Sequence, residues 1–495
     1  MSRIIIQNGN MCELDLPLKF AQKLYNEFAI RHPNAFYLRT RQRGMQNWDG
    51  KIHYITKTGQ FKIGLLPKVY DMCIEMGIKP KVVDMRQPLP KVSKVVTNIG
   101  KYKLRPEQEK AVKAVINNKI GNTPFHIGVL DYTVNAGKTL IMSSLYLSYK
   151  KQLKTLLITN DSDWLNQARE EFKQYLPGED ITFVQGKVLN WSNFTIGMVQ
   201  SISRNMRFYQ KELSQIDMVL IDEADQGGSK QYQNVITRLF NTRIRIGLSG
   251  TIYMSKLAKD RVKNMNLECF FGKVLAEFKL KDSIKKGYST KTVVKMVPGK
   301  PWYGNWESDC ISYKEIYDDS ITNCYTAWLM AYNRLLWNLN QGRYPALVVC
   351  KHIAHCENLY KFFKKKLGDA YNIAYVHVNT PSKLRQQIMR DFREGKIDIL
   401  VSTTIIARGK NFPKLRYLLN AASMDSQEKS IQFLGRLVRT DKSKKKVYLD
   451  DLHYPGNYLD RHGKHRKQYY QRQELKVILL DKLWKKHPNH SLIKS

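Results

Sequence analysis

The sequence predicts an α/β protein with two parallel sheets, and two observations support this fold class. Short apolar runs alternate with helical patterns in two successive series, as expected of parallel sheets whose crossover connections are helices. Most runs end in polar residues, which places those residues at the carboxyl edge of a sheet, where ligands bind. The first series comprises Ile127 to Leu130, Thr155 to Thr159, Thr195 to Met198, Met218 to Ile221 and Ile244 to Leu248. The second series comprises Ala346 to Cys350, Ile373 to Val378, Ile397 to Val401, Tyr417 to Ala421 and Lys446 to Leu449.

Length and charge indicate a multidomain protein with a polyanionic partner. The chain has 495 residues, too many for one core, and contains 82 Lys and Arg against 43 Asp and Glu, a net charge of +39. No disordered basic tail carries this excess, because the cations are spread through patterned segments. With 28 Tyr and 8 Trp, the composition favours nucleic acid as the partner over a merely soluble basic protein.

Cysteine usage and hydropathy predict a soluble protein of a reducing compartment. Seven cysteines, an odd number without a regular framework, do not suggest disulfides. No stretch approaches the roughly 18 apolar residues of a membrane span, and the N-terminal apolar run is too short for a signal peptide. We therefore expect a cytoplasmic location, in the host cell if the protein is phage-encoded.

Residues 1 to about 95 predict a small α+β domain, followed by a linker rich in proline and lysine up to about residue 100. Its expected elements are a strand at Ile4 to Ile6, a helix over Leu18 to Ile30 and a hairpin from Lys51 to Gly64.

A basic stretch between this helix and hairpin is a candidate nucleic-acid contact. Cations interleaved with an aromatic residue suit phosphate contact together with stacking on a base. The alternative is a basic surface loop whose tryptophan folds back onto the core. The candidate residues are Arg41, Arg43, Trp48 and Lys51.

A phosphate-binding loop is predicted between the first apolar run and a helix over Leu140 to Tyr149. The loop ends Gly137-Lys138-Thr139, so backbone N–H groups and the helix N-terminus can bind phosphates, Lys138 can neutralise them, and the Thr139 hydroxyl can ligate Mg²⁺. Tyr132 stands where the usual pattern has its first glycine. The predicted ATP-binding residues of the loop are Asn135, Ala136, Gly137, Lys138 and Thr139.

Carboxylates follow the apolar run at Met218 to Ile221, 84 residues beyond Lys138. In a nucleotide hydrolase Asp222 would hold Mg²⁺ and Glu223 would polarise the attacking water. The combination of phosphate loop and carboxylates therefore predicts an ATP and Mg²⁺ site.

Two flanking segments are weaker candidates for the same site. Arg105 and Gln108 precede a helix, and the Gln108 amide has the donor and acceptor needed to read an adenine edge. Ser249-Gly250-Thr251 ends another strand with hydroxyl residues, suited to coupling phosphate state to motion.

In the second half, Gln432, Arg436 and Arg439 have spacings of four and three and are expected on one helical face. Arginines there can stabilise the transition-state charge as arginine fingers do, although a basic surface helix is the alternative. A strand edge and glycine-containing turn precede them, with Thr403 and Arg408 as candidate nucleic-acid contacts and Gly409 as a candidate ATP contact.

Two α/β halves with one phosphate loop imply tandem RecA-like domains, and the ordered motifs resemble motifs I, II, III, V and VI of superfamily 2 helicases. The resemblance covers about residues 103 to 450. In that family, motifs Ia and Ib contact DNA, and here they correspond to Asn160, Gln167, Gln200 and Ser201.

The sequence more closely resembles the phage UvsW-type helicases over nearly the whole chain, through Asn47 to Lys51, Asn135 to Thr139, Leu248 to Gly250 and Asn457 to Gly463. This resemblance implies an ATP-dependent, monomeric DNA helicase acting on forks, Holliday junctions and R-loops in phage replication, recombination and repair.

The expected domains are an N-terminal DNA-recognition domain (1–95), RecA-like domains at 100–280 and 281–450, and a basic C-terminal extension (451–495). A helix is expected there from Tyr469 to Trp484, with a basic face open to a nucleic-acid backbone.

Several alternatives remain. Despite its Asp-Glu-Ala-Asp tetrapeptide, the chain departs from the DEAD-box RNA helicase pattern at Ser249-Gly250-Thr251 and Arg408 to Asn411, which disfavours a role confined to RNA. Other possibilities are a duplex translocase that does not separate strands and an annealing protein with a vestigial ATP site. The cluster Cys350, His352, His355 and Cys356 resembles a zinc site, but lacks a second distant ligand pair.

Overall fold

The computed structural model describes residues 2–42, 44–149, 152–186, 188–252, 260–299, 312–407, 412–441 and 443–480. These residues form two compact units, Met1–Phe278 and Lys279–Ser495. No helix in the described ranges combines the length and apolarity needed to cross a membrane.

The N-terminal part of the first unit is a small sheet with helices beside it. Strands β1 and β6 pair in parallel, and β2 joins β1 to β5 by antiparallel pairing. Its elements are β1 (Arg3–Ile6), β2 (Met11–Asp15), α1 (Leu18–Glu27), β3 (Ala29–Arg31), α2 (Ala35–Arg41), β4 (Lys51–His53), β5 (Gln60–Lys62), α3 (Leu66–Glu75) and β6 (Lys81–Asp84).

Two expectations for this part were wrong. The first helix ends at Glu27, because the next residues extend and pair as β3 with β4. The predicted hairpin does not form as such, because β4 pairs with β3 whereas β5 pairs with β2, and a single bridge between Ile55 and Phe61 joins the two segments. Long-range strand pairing overrode the local pattern in both cases.

The N-terminal part packs directly on the larger sheet of the first unit. The fully buried guanidinium of Arg245 donates to the Gly9 carbonyl at 2.7 Å and to Asn10 Oδ1 at 2.8 Å. A Cβ on Gly64 would lie 2.1 Å from the Glu268 carbonyl oxygen, so only glycine permits this approach of two backbones. These contacts explain why the segment belongs to the first compact unit.

The larger sheet has eight strands in the order β14-β13-β15-β12-β16-β17-β11-β18 and is parallel except for β14. Its central strands are buried on both faces, which explains their continuous apolar runs. The strands from residue 98 on are β7 (Asn98–Ile99), β8 (Tyr102–Lys103), β9 (Lys119–Ile120), β10 (Thr123–Pro124), β11 (His126–Tyr132), β12 (Thr155–Thr159), β13 (Ile181–Gln185), β14 (Val188–Leu189), β15 (Phe194–Met198), β16 (Met218–Asp222), β17 (Ile244–Ser249) and β18 (Val274–Phe278). The helices are α4 (Pro106–Ile116), α5 (Lys138–Ser148), α6 (Ser162–Tyr175), α7 (Val199–Arg204), α8 (Gln210–Ser214), α9 (Lys230–Ile236) and α10 (Arg261–Phe271).

The second unit contains a seven-stranded parallel sheet in the order β21-β22-β20-β23-β24-β19-β25. Its strands are β19 (Lys291–Pro298), β20 (Ala346–Cys350), β21 (Ile373–Val376), β22 (Ile399–Thr403), β23 (Tyr417–Asn420), β24 (Lys446–His453) and β25 (Val477–Leu479). Its helices are α11 (Leu280–Lys285), α12 (Tyr313–Tyr317), α13 (Tyr325–Leu339), α14 (Ile353–Leu367), α15 (Ser382–Glu394), α16 (Gln427–Leu437) and α17 (Asn457–Arg472). The two parallel sheets confirm the predicted tandem RecA-like fold.

The C-terminal extension differs from its prediction. Its helix α17 begins at Asn457 and ends at Arg472, and the chain then adds β25 to the sheet beside β19. Residues 481–495, including Trp484, lie outside the described residues. The division into four domains stays a prediction.

Candidate functional site

The phosphate loop lies between β11 and α5, as the sequence predicts. Asn135 and Gly137 have positive φ angles of 64° and 72°, and α5 begins immediately afterwards at Lys138. A Cβ at position 137 would lie 2.3 Å from Gln108 Nε2, so the loop needs glycine there for space as well as for conformation. The phosphate loop leads directly into the N-terminus of α5, where backbone N–H groups have no intrahelical partners and can bind phosphate oxygens.

Tyr132, which replaces the usual first glycine, is accommodated inside the protein. It is the last residue of β11, it is fully buried, and its hydroxyl donates to the Glu107 carbonyl at 2.7 Å. Its ring packs against Phe278, with ring centroids 5.9 Å apart. The tyrosine therefore fixes the strand to α4 at the point where the loop starts.

Gln108 and Arg105 hold the phosphate loop by hydrogen bonds to its backbone carbonyls. The buried Gln108 amide donates to the Ala136 carbonyl at 2.8 Å and accepts from the Arg105 backbone N–H at 2.8 Å. Arg105 Nη1 also donates to the Asn135 carbonyl at 3.4 Å. Both Gln108 amide groups thus make contacts that shape the loop, and its predicted recognition of adenine stays a prediction.

Lys138 lies beside the carboxylates that follow β16. Its ammonium is 3.6 Å from Asp222 Oδ1, and the Asp222 side chain is 4% exposed. Burial opposes the charged form of Lys138, but the carboxylates of Asp222, Glu223 and Asp225 raise its pKa. Burial raises the pKa of the Asp222 carboxyl, against the effect of Lys138. A charged lysine is therefore held where terminal phosphates would lie.

The fit to Mg²⁺ rests on Asp222. Its Oδ1 atom is buried and accepts no hydrogen bond within the described part of the chain. This oxygen lies 3.6 Å from the Lys138 ammonium, which compensates part of its charge, and Mg²⁺ prefers carboxylate oxygens as ligands. Together with the Thr139 hydroxyl at the start of α5, the donor set fits the ion.

The strand after the carboxylates is connected to them by hydrogen bonds. Ser249 Oγ donates to Asp225 Oδ1 at 2.8 Å, and the Thr251 backbone N–H donates to Ser249 Oγ at 3.1 Å. Glu223 itself has a φ angle of 53°, a strained conformation for a non-glycine residue that tends to occur at functional sites. The Ser-Gly-Thr segment is thus in direct contact with the Asp-Glu-Ala-Asp segment.

Two predicted nucleic-acid contacts of the first unit converge near this edge. The Asn160 amide donates to Gln226 Oε1, and Gln200 Nε2 donates to the Asn160 carbonyl at 3.4 Å. Gln167 instead lies exposed on α6, bonded to Glu171. Ser201 is buried and its hydroxyl accepts from the Gly186 N–H at 2.9 Å, so it positions a neighbouring turn.

The N-terminal basic stretch is partly closed on itself. The half-buried Trp48 donates through Nε1 to the Lys51 carbonyl at 2.8 Å and lies edge-on to His32. Arg41 is exposed at the end of α2, with its guanidinium 4.9 Å from the centroid of the Tyr37 ring. Arg43 lies outside the described residues, as do Arg408 and Gly409.

In the second unit, α16 carries Gln432 and Arg436, both half-buried, but ends at Leu437. Arg439 therefore lies beyond the helix rather than on its face, a correction to the spacing argument. Its carbonyl accepts from Thr290 Oγ1 at 3.1 Å, which ties it to the segment before β19. Thr403 is buried at the carboxyl end of β22.

The residues that hold α16 in place were missed by the sequence reasoning. Ser426 caps the helix by accepting from the Lys429 N–H, and Asp425 before it accepts from Tyr469 and bonds His465 Nδ1 at 2.9 Å.

Arg466, which precedes the helix expected from Tyr469, lies within α17 and is fully buried against Asp451 and the Met424 carbonyl. The sequence feature that could have indicated this position is the pair Tyr469 and Tyr470, three and four residues after Arg466 and therefore on the same side of a helix.

The cysteine and histidine cluster after β20 makes core contacts. His355 is buried and its Nδ1 lies 3.0 Å from the Tyr317 hydroxyl, while burial lowers its pKa to about 3. Cys350 and Cys356 are fully buried in the apolar core of the second unit.

Comparison with known families shows two matching domains. Residues 101–254 match the family "Type III restriction enzyme, res subunit", and residues 329–441 match the family "Helicase conserved C-terminal domain". The first match contains the phosphate loop, the carboxylates and the Ser-Gly-Thr segment, and the second contains Gln432, Arg436 and Arg439.

Individual proteins show the same relationship at low identity. A putative helicase 22 of Sulfolobus islandicus filamentous virus is 22% identical over 71% of this chain, which spans 64% of that relative's length. The ATP-dependent DNA helicase uvsW of Enterobacteria phage T4 is 21% identical over 88% of this chain and 90% of its own. A fragment of a putative HsdR subunit of a type I restriction enzyme from Vibrio vulnificus superimposes with a TM-score of 0.55 at 15% identity, covering 76% of this chain and 68% of that chain.

Proposed function

The chain belongs to superfamily 2 of the helicases, an ATP-hydrolysing group, and on that premise we propose that it is a DNA helicase or translocase that acts on branched DNA. The observation that carries the proposal is the arrangement around Lys138. A phosphate loop with two positive φ angles, a half-buried lysine and a buried carboxylate oxygen without a hydrogen bond lie together at one sheet edge.

In the proposed reaction, the first unit binds and activates the nucleotide. Lys138 neutralises the terminal phosphates, and Thr139 and Asp222 would hold Mg²⁺, which would polarise the phosphoryl oxygens. Glu223 orients the attacking water. Gln108 and Arg105 keep the loop wound through their bonds to the Ala136 and Asn135 carbonyls.

The second unit supplies positive charge for the transition state in this proposal. Arg436 and Arg439 act as arginine fingers, with Gln432 beside them, and Gly409 contacts the nucleotide. Cycles of ATP binding and hydrolysis would then shift the grip of a monomer on one strand.

DNA contact is proposed for both units. The candidates in the first unit are Arg41, Arg43, Trp48, Lys51, Asn160, Gln167, Gln200 and Ser201, and those in the second are Thr403 and Arg408. Most of these groups suit phosphates, so we expect tolerance of sequence and strong dependence of affinity on salt. Asn160 donates a hydrogen bond to Gln226, the residue after Asp225, so a change at Asn160 on binding a DNA strand would reach the segment that carries the carboxylates.

Branched DNA is proposed as the substrate because the resemblance to UvsW-type helicases extends over nearly the whole chain, and because the T4 relative is named a DNA helicase. The proposed setting is replication, recombination and repair of phage DNA in the host cytoplasm, with R-loops as further substrates.

The deciding experiment measures ATP-dependent unwinding and branch migration on forks, four-way junctions, R-loops and linear duplexes. A preference of at least tenfold for branched over linear DNA supports the proposal. Equal rates on all substrates, or ATP hydrolysis that displaces a triplex strand without separating duplexes, would assign the chain to the duplex translocases instead. ATPase activity that DNA does not stimulate would refute a DNA motor.

Trp48 provides a test of substrate recognition. We expect Trp48→Ala to reduce the preference for forks while leaving ATPase activity on single-stranded DNA unchanged, because the loop contacts DNA by stacking. Trp48→Phe keeps a stacking ring but removes the bond to the Lys51 carbonyl, so it should retain most of the preference. Unchanged fork preference in Trp48→Ala would contradict the role.

A further inference from the structure

A cluster of cations surrounds an exposed tryptophan in the second unit, on the helix α13. The ring of Trp337 is 41% exposed. Lys295 Nζ lies 4.7 Å from its centroid, and the guanidinium carbons of Arg343 and Arg334 lie 4.7 Å and 5.0 Å away. We call these residues, with Tyr448 and Lys446, the Trp337 patch.

The patch extends over the sheet through Tyr448 of β24. Arg343 lies 3.6 Å from the centroid of the Tyr448 ring, and Lys446 Nζ lies 5.6 Å from the same ring. Arg343 is further fixed by donating to Asn338 Oδ1 at 2.8 Å, and Arg334 donates to Asp450 at 2.6 Å. The aromatic rings and these bonds hold the cations in fixed positions, so little side-chain entropy would be lost on binding an anion.

The charges in the patch are not balanced within it. Four cations face one buried carboxylate, Asp450, so the local excess is positive. Burial, together with repulsion from Arg334, Arg343 and Lys446, lowers the pKa of Lys295, although Asp450 acts in the opposite direction. Holding like charges this close costs free energy, which a bound anion would recover.

The patch is separate from the proposed catalytic groups of the same unit. Consecutive residues of a strand face opposite sides of a sheet. Asp450 contacts Arg334 of α13, whereas Asp451 contacts Arg466 of α17. Because α16 packs against α17, the helix that carries Gln432 and Arg436 lies on the sheet face opposite the Trp337 patch.

We propose that the Trp337 patch is a second nucleic-acid-binding site, which binds the phosphodiester backbone of a DNA arm away from the motor residues. This inference rests on the proposed function, because it assumes that the chain acts on DNA. Planar guanidinium groups match phosphate oxygens, and rings already covered by cations favour backbone contact over base stacking. A second grip on the backbone suits a substrate with more than one duplex arm.

The test compares two triple variants that remove equal charge from the second unit. One is Lys295→Gln with Arg343→Gln and Lys446→Gln, which spares Arg334 because it pairs with buried Asp450. The matched control is Lys364→Gln with Lys365→Gln and Lys366→Gln, three exposed lysines at the end of α14. DNA affinity on a four-way junction is measured as a function of salt, with DNA-stimulated ATPase activity in parallel.

We expect the patch variant to bind the junction about tenfold more weakly and the slope of log affinity against log salt to fall by roughly three, one per lost phosphate contact. The DNA concentration for half-maximal ATPase activity should rise by a similar factor, with kcat at saturating DNA unchanged. Equal effects in patch and control variants would overturn the proposal, because net charge alone would then explain them.

Two further measurements separate the possible failures. Lys446→Glu changes a single exposed residue and keeps the test available if the triple variant fails to fold, with Lys365→Glu as its control. If the wild-type ATPase is stimulated by DNA but Lys446→Glu binds DNA as the control does, the patch is not a DNA site and the motor function stands. If DNA does not stimulate the wild type, the proposed function itself fails.

Discussion

The two units place their proposed catalytic side chains by different means. In the first unit, Asp222 and Ser249 end β16 and β17, and Lys138 lies shortly after the adjacent strand β11. These residues or their neighbours contact each other directly. In the second unit, α16 is held by α17, a helix about thirty residues further along the chain, through Asp425. Short motifs therefore suffice to build the first site, whereas the second depends on the C-terminal extension.

The difference also concerns strain. Asn135 and Glu223 adopt positive φ angles in the first unit, the first within the phosphate loop and the second directly after Asp222. Such conformations persist only where surrounding contacts fix them, and here the bonds from Gln108, Arg105 and Ser249 supply that support. The comparison predicts that substitutions in the first unit act on chemistry, and that those beneath α16 act first on stability.

The largest effect is expected in the first unit. Lys138→Ala and the isosteric Glu223→Gln should each lower DNA-stimulated kcat by about a thousandfold or more, since preorganised charge at the phosphates is lost. DNA affinity without nucleotide should stay within about twofold, and Lys113→Ala on α4 serves as the control. Turnover retained by either variant would remove the catalytic role from this site.

Arg436→Ala and Arg439→Ala test the second unit by the same measurement. We expect each to lower kcat by about a thousandfold at unchanged DNA affinity, as the loss of an arginine finger does. Arg385→Ala on α15 removes an equal charge and should leave kcat within about twofold. If Arg439→Ala alone retains activity, its position beyond the end of α16 would explain the difference.

The support beneath α16 should show itself as stability. Asp451→Asn leaves the buried Arg466 without its carboxylate, and we expect a loss of about 3–5 kcal/mol in the free energy of unfolding. Urea denaturation checks this. Asp369→Asn, at an exposed pair with Lys364, should leave the urea midpoint unchanged within the error of the measurement. Equal effects of the two substitutions would contradict the structural role of α17.

The smallest effect concerns pH. Because the folded protein depresses the pKa of His355 to about 3, only the unfolded chain takes up a proton there as the pH falls below its ordinary value near 6.5. Above about pH 6.5, His355 is neutral in both states and the free energy of unfolding does not depend on its titration. As the pH falls from there towards 3, the free energy of unfolding decreases, by about 2 kcal/mol at pH 5. His355→Gln should flatten the pH dependence of Tm over this range, and an unchanged pH dependence in this variant would contradict the prediction.

Much of the fold could be predicted because strands buried on both faces read as continuous apolar runs. All five predicted runs of the first series agree, within two residues at either end, with the observed strands β11, β12, β15, β16 and β17. The predictions failed where distant partners decided the structure. The end of α1 depends on β3 pairing with β4, and the end of α17 on β25 joining β19.

The candidate site divides in the same way. The order of the motifs indicated Lys138, Asp222, Glu223 and Arg436 without any structure. The contacts of adenine with Gln108 and of DNA with Ser201 stay predictions, and the sequence did not indicate that the first side chain bonds the phosphate loop or that the second bonds a turn at Gly186. An amide or hydroxyl shows what it can bind, not which partner lies within reach.

The sequence by itself determined the two parallel sheets, the family and the residues that follow their strands, because hydrophobic periodicity and strand-end motifs are local. The tertiary structure alone decided that Arg245 joins the N-terminal part to the first sheet, that Arg466 is buried, and that three cations meet around Trp337. Those contacts join residues far apart in the chain, and their free energy depends on burial and distance, which no linear pattern records.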